Sequence, residues 1–285
     1  MSAFVRYGAA ESEVSRMPSP IIWNDCPVND YLADPAKGRH DFEDFLSGVV
    51  TGTTLVHGQP KGWISYATSN DVADVALQTD DEGWLLLQQR GTDADVVAVT
   101  DGENTAGMWK TPSAGSQGSA KGLWFEARIK VVSITDSDNG AFVGLAAPGE
   151  AKTSAGGGMT AGGAAMSDID YVGFAQLSGD CDDLTLVYNE ATSGTAQSST
   201  GVITLVADTW HRVGFKIVTK SQGTYVQFYD DGVYLGAATD IDLTTTNANW
   251  PGATNMARLL SSIGESGVAN GDGIYVDWVR VATAL

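Results

Sequence analysis

The chain has 285 residues, a formal net charge of −19, 34 glycines against 8 prolines, and only 18% charged residues. That charge repels phosphate backbones and anionic bilayers, because nucleic-acid and acidic-lipid binders need a basic stripe to exchange for counterions. No nucleic acid and no membrane are therefore expected as partners. No stretch approaches the roughly 20 apolar residues that span a bilayer. The length suits a single large all-β domain.

Residues 1–40 read differently from the rest. The run from Ser15 to Pro27 concentrates proline, lacks periodicity and still carries Ile21, Ile22 and Trp23. Proline-rich aperiodic chain does not build a sheet interior, so an extended arm is expected. Its apolar trio needs a surface, either the chain's own domain or a neighbouring subunit, and these three residues are the candidate interface. The opening Met1-Ser2-Ala3-Phe4-Val5-Arg6 lacks the basic-then-apolar pattern of a secretory leader, so synthesis in a cytoplasm is expected.

From Asp41 the reading is of strands. Asp41–Leu46 fits an extended or single-turn element, and Gly62–Ala67, Val72–Leu77 and Gly83–Gln89 read as strands with a turn at Thr79–Gly83. The Ser/Gly stretch Ser113–Ala120 is taken as a surface loop of one domain, since residues 50–112 hold too few strand pairs to close a core alone. Leu123–Val131 and Ala141–Ala146 look like neighbouring strands joined by a polar loop. The small-residue tract 149–167 is expected to order only under a partner. Further on, Asp208–Ile217, Tyr225–Tyr229, Val233–Leu235 and Ile274–Val281 alternate apolar and polar residues, with one face for a core and the other for water. Asp230-Asp231-Gly232 supplies the positive φ of a tight primed hairpin turn.

The order of these last segments, a Trp210-His211-Arg212-Val213 strand, a Tyr225–Gly232 hairpin and the terminal Tyr275-Val276-Asp277-Trp278-Val279-Arg280-Val281, resembles the closing strands of the concanavalin A-like lectin/glucanase superfamily, including laminin-G-like modules and laminarinases. The resemblance covers about residues 120–285. It implies an all-β, concanavalin A-like jelly-roll β-sandwich over residues 41–285, preceded by the extended N-terminal arm of residues 1–40. Leu123–Val131 with Phe142–Ala146 also resembles a run in uncharacterised structural proteins of tailed bacteriophages.

Catalysis finds little support. A retaining glycosidase needs two carboxylates about 5 Å apart, and the Glu-x-Asp-x-x-Glu strand of the laminarinase kind is absent. The acidic groups Asp41–Asp44, Asp80–Glu82 and Asp180–Asp183 sit among turn-like residues. His40, His57 and His211 lie in unrelated contexts, no Gly-x-Ser-x-Gly elbow occurs, and the glycine tracts lack a phosphate loop's Lys-Ser/Thr ending. Asp136, Asp138 and Asn139 offer oxygen ligands of the kind calcium prefers, yet lack a distant bidentate Glu, so an ordinary Asp-rich turn is expected. Cys26 and Cys181 show neither a disulfide framework nor zinc spacing. No catalytic, cofactor or metal residues are assigned. Trp109, Tyr188 and Trp250 are the aromatics considered for carbohydrate.

The function expected is a non-enzymatic virion structural protein of a tailed bacteriophage, a capsid decoration or surface subunit assembled in the host cytoplasm. It would be homo-oligomeric and dock on capsid or other virion proteins through the arm and sandwich loops. A lectin-like module binding a surface glycan is the alternative, and a laminarinase-like hydrolase the third reading.

Overall fold

The computed structural model describes residues 16–45, 63–67, 75–78, 84–88, 96–102, 107–115, 122–135, 139–150, 157–192, 196–252, 254–264 and 273–285. Its strands are β1 (Gly38–Glu43), β2 (Ile64–Ala67), β3 (Val75–Gln78), β4 (Trp84–Gln88), β5 (Val96–Thr100), β6 (Trp109–Lys110), β7 (Leu123–Val131), β8 (Asn139–Ala146) and β9 (Tyr171–Leu177). They continue with β10 (Asp180–Asn189), β11 (Gln197–Thr204), β12 (Trp210–Lys220), β13 (Gly223–Asp230), β14 (Val233–Tyr234), β15 (Ile241–Asp242), β16 (Asn255–Gly264) and β17 (Gly273–Ala284).

Two antiparallel sheets face each other, as the alternating strands imply. The first runs β14-β13-β12-β7-β17-β4-β3, with β1 also on β17 and β15 on β13. The second runs β11-β10-β9-β8-β16-β5-β2, with β6 on β16. Between them lie Phe125, Ala127 and Ile129 of β7, Val213 and Phe215 of β12, Phe228 of β13 and Phe174 of β9. Phe125 and Phe215 stack at 5.0 Å between centroids, and Phe174 meets Phe228 edge-on at 5.8 Å. Strands on both sides of residues 113–120 share both sheets, since β4 pairs with β17 and β5 with β16.

The hairpin turn at Asp231-Gly232 has the expected geometry: φ is 48° at Asp231 and 79° at Gly232, both positive as a type I′ turn requires. Asp41–Glu43 is extended and lies in β1. Two expectations are corrected. Strands β7 and β8 are not neighbours, because β7 pairs with β12 and β17 in one sheet while β8 pairs with β9 and β16 in the other. Both have apolar inward faces, and joining them across the gap lets each sheet contribute half the core. The tract 149–167, in its described part, does not wait for a partner: Met159 and Met166 are buried with Phe142, Tyr171 and Leu259 on the outer face of the second sheet. Its glycines bring backbone close to the sheet, and the two thioethers supply the apolar contact.

One end of the sandwich is closed by Arg258 of β16. Its guanidinium lies 4.4 Å over the Trp63 ring, with Nε 2.7 Å from Asp101 and Nη2 2.8 Å from Asp41 of β1. Asp101 also accepts the indole N–H of Trp109 at 2.8 Å. This charge group ties the two sheets together across the interior. Removing one member of a buried pair strands the other without water, so Arg258→Ala is expected to cost about 3–5 kcal/mol in a urea unfolding experiment, with an unchanged urea midpoint as the contrary result.

Candidate functional site

The outer face of the first sheet is where polarity and aromatic side chains converge. Period-two alternation on β7 sends Trp124, Glu126, Arg128 and Lys130 outward. On β12 it does the same for Trp210, Arg212, Gly214 and Lys216. Strand β17 adds Tyr275, Trp278 and Arg280. The alternation led one to expect this face in water, and most of it is not. Glu126, Arg128, Lys216 and Asp277 are all buried, because the arm lies across them.

The arm turns twice into short helices, Pro20–Trp23 and Val28–Ala33. Proline at the first helical position costs no hydrogen bond, and Ser19 Oγ caps the turn by accepting from the Ile21 N–H. Ile22, Trp23 and Tyr31 pack with Trp124, Tyr229 and Ala282. The absence of a side chain at Gly214 makes this seating possible, since a Cβ there would stand 2.7 Å from Ile22 Cδ1. Of the three residues expected at an interface, Ile22 and Trp23 thus lie against the chain's own sheet, whereas Ile21 is 54% exposed.

Glu126 is the polar anchor of this contact. Its carboxylate accepts the Ser19 N–H at 2.9 and 3.0 Å and the Trp23 indole N–H at 2.6 Å. Lys216 Nζ donates to the Ile21 carbonyl at 2.9 Å and meets Asp25 at 3.2 Å, and the Arg280 guanidinium lies 3.9 Å over the Trp23 ring. Burial pushes the Glu126 carboxyl up to about 7, against the lowering effect of the Trp23 and Ser19 hydrogen bonds.

Farther along the same face, β17 changes its edge partner from β4 to β1, and a bulge in its pairing with β7 falls between Val276 and Trp278. The bulge sends Asp277 outward, where it takes Arg128 Nη1 at 2.6 Å and Arg16 Nη2 at 2.7 Å. Beside it rises an aromatic cluster. Trp210 and Tyr275 both stand opposite Lys130 in the strand register. Trp84 of β4 stacks on Trp210, with centroids 5.2 Å apart and planes 19° from parallel. Strands β4 and β12 are three spacings apart, about 14 Å, so the two indoles lean toward each other over β7 and β17. Lys130 Nζ sits 4.5 Å from the Tyr275 centroid, 4.9 Å from Trp84 and 5.2 Å from Trp210, and Arg128 stacks on Trp210 at 4.4 Å. Trp84, Trp210, Tyr275 and Lys130 each remain partly exposed.

The aromatics chosen from sequence are placed elsewhere: Trp109 and Trp250 are core residues, and Tyr188 packs against Trp250 at 6.5 Å. Missed were Trp84, Trp210 and Tyr275, for which the signal is their outward parity on β4, β12 and β17, strands within three spacings of one another in the sheet. Sequence does not print that adjacency. Asp136 and Asp138 lie outside the described residues. His211, Asp230 and Asp231 come together at the hairpin, but Arg212 Nε already stands 3.3 Å from Asp231 and opposes a cation there. The Asp230 hydrogen bond holds the His211 imidazole above its usual range. Cys26 and Cys181 are not joined in a disulfide; burial pushes Cys26 up to about 12, and Cys181 donates to the Asn139 carbonyl at 3.1 Å. Among the described residues no helix is long and apolar enough to cross a membrane.

No family model matches the chain, and no curated protein does. Solved structures do. The carbohydrate recognition domain of Emp47p superposes with a TM-score of 0.50 at 8% identity, covering 88% of this chain and 99% of that one. The endo-1,3-beta-glucanase of Streptomyces sioyaensis gives 0.49 at 14% identity over 88% and 90%, and peanut lectin 0.48 at 13% over 87% and 98%. At such identities the likeness concerns the fold alone: the chain has the concanavalin A-like jelly-roll sandwich fold expected from its closing strands.

The arm contact has a pH signature. A carboxyl raised from 4.5 to about 7 binds its proton more tightly when the arm is docked. Its stabilising contribution is complete below pH 4.5 and is lost as pH rises through about 7, a span worth about 3 kcal/mol. Stability measured by urea titration should therefore fall between pH 5 and pH 8, and Glu126→Gln should reduce that fall, while His211 and Asp277, both shifted upward, contribute in the same sense.

Proposed function

We propose that this protein is a non-catalytic glycan-binding module whose ligand rests on the Trp84–Trp210–Tyr275 cluster. The observation that carries this reading is the grouping of three partly exposed aromatic rings on one sheet face around a single cation. Aromatic faces carry negative charge and attract the polarised C–H groups of a sugar ring, while the flat sheet beneath fixes their spacing at little conformational cost. Support for the non-catalytic part comes from the neighbouring carboxylates. Glu126 is sealed under the arm by three hydrogen bonds, and Asp277 is bound by two arginines, so neither stands free beside the cluster for the two-carboxylate chemistry of glycoside hydrolysis.

A second reading, a structural subunit on a phage particle, is favoured by one feature of the arm. Its outer side displays Ile21 at 54% exposure and Leu32 at 68%, apolar groups without cover in the single chain. In this reading the arm docks the subunit on a capsid or on a second copy while the aromatic cluster faces outward.

On a glycan array, Trp210→Ala and Trp84→Ala should each weaken binding by about tenfold or more, in keeping with the loss of the stacked indole pair that shapes the cluster. Wild-type protein should release no reducing sugar from the polysaccharide it binds. If the particle-subunit reading holds, Ile21→Asp with Leu32→Asp should abolish assembly seen by light scattering and leave glycan binding intact.

A further inference from the structure

The aromatic cluster is accompanied by an unusual set of polar groups: they are nearly all donors. Lys130 holds its ammonium among three rings. Arg128 is 2% exposed, and its Nε finds no acceptor among the described residues; the buried indole N–H of Trp84 finds none either. Asp277, the carboxylate alongside, is occupied by Arg16 and Arg128. Counting Arg16, Arg128 and Lys130 against Asp277 leaves two positive charges at this spot, on a chain whose formal charge is −19. A buried N–H without an acceptor costs about 1–3 kcal/mol, so two orphan donors next to the partly exposed Lys130 favour an acceptor-rich ligand.

We propose that the cluster selects acidic saccharides, binding the carboxylate of a uronic acid or the sulfate ester of a sulfated sugar at Lys130, with the sugar ring against Tyr275. The proposal rests on the glycan-binding reading of the same site and narrows it to a charge class. The anionic group meets the Lys130 ammonium that the three rings hold in place, and Arg128 adds its field from below. The chain's overall negative charge does not forbid this. At physiological salt the Debye length is about 8 Å, so distant surface carboxylates are screened while Lys130 acts at contact. Long-range repulsion slows the approach of a polyanion and leaves the contact energy in place. Neutral glucans offer sugar faces for the rings and only uncharged hydroxyl acceptors for the ammonium.

The test uses the full chain in calorimetric titrations against polygalacturonate, a sulfated glycosaminoglycan, laminarin and dextran, with a single-stranded oligonucleotide as the competing polyanion. Acidic glycans should bind at least about tenfold more tightly than the neutral ones, and affinity for them should fall about tenfold or more between 50 and 500 mM salt. Lys130→Gln should remove most of that preference, and Lys130→Arg should retain it; thermal melts of both variants verify folding. Equal binding of laminarin and polygalacturonate with no effect of Lys130→Gln overturns the acidic preference and leaves the glycan-binding reading standing. Absence of binding to every glycan removes both. Tighter binding of the oligonucleotide than of any glycan also overturns the proposal.

Discussion

The structure turns on how β7 divides its side chains. One parity, Phe125, Ala127 and Ile129, faces the opposite sheet and fills the interior; the other, Glu126, Arg128 and Lys130, is polar and sits at the centre of a broad outer face. A central strand in a wide sheet leaves its outer carboxylate poorly hydrated as soon as anything covers it, and a buried polar group needs its hydrogen bonds supplied. The arm supplies them to Glu126 from one backbone N–H and one indole. Much else follows from that seating. Gly214 has no side chain where Ile22 enters, Lys216 reaches the arm's carbonyls, and Arg280 stacks on Trp23.

The same division explains why the aromatic cluster is where it is. The described arm begins at Arg16, whose guanidinium meets Asp277 and whose carbonyl accepts the Trp278 indole at 2.7 Å. On one side of this point the outer face is sealed. On the other, Trp84, Trp210 and Tyr275 take over the task of covering polar strands, and they do so while keeping part of each ring in water. Arg128 belongs to both regions, since it bonds Asp277 and lies under Trp210. The anchoring of the arm and the presentation of the rings are thus two ends of one row of side chains.

Much of the architecture was legible from local pattern. Period-two alternation named β12, β13 and β17, and Asp231-Gly232 named the hairpin, because side-chain parity and positive φ are properties of a few adjacent residues. The aromatic site was not legible. Trp84, Trp210 and Tyr275 are separated by most of the chain, and each alone looks like an ordinary strand residue. Trp109 and Trp250 looked equally eligible and went to the core, where their indole N–H groups reach Asp101 and the Pro112 carbonyl. Only the strand order, with β7 between β12 and β17, puts the right three together.

What the sequence by itself determined is therefore a class: a β-sandwich with a tight hairpin and an apolar-bearing first segment, read from neighbours along the chain, with the jelly-roll arrangement implied by the resemblance of its closing strands. Tertiary structure decided which face the first segment covers, that β7 and β8 part into opposite sheets, and that Lys130 is enclosed by rings from three other strands. The physical reason is that parity and turn chemistry act between adjacent residues, whereas sheet order is settled by the burial of all the faces at once.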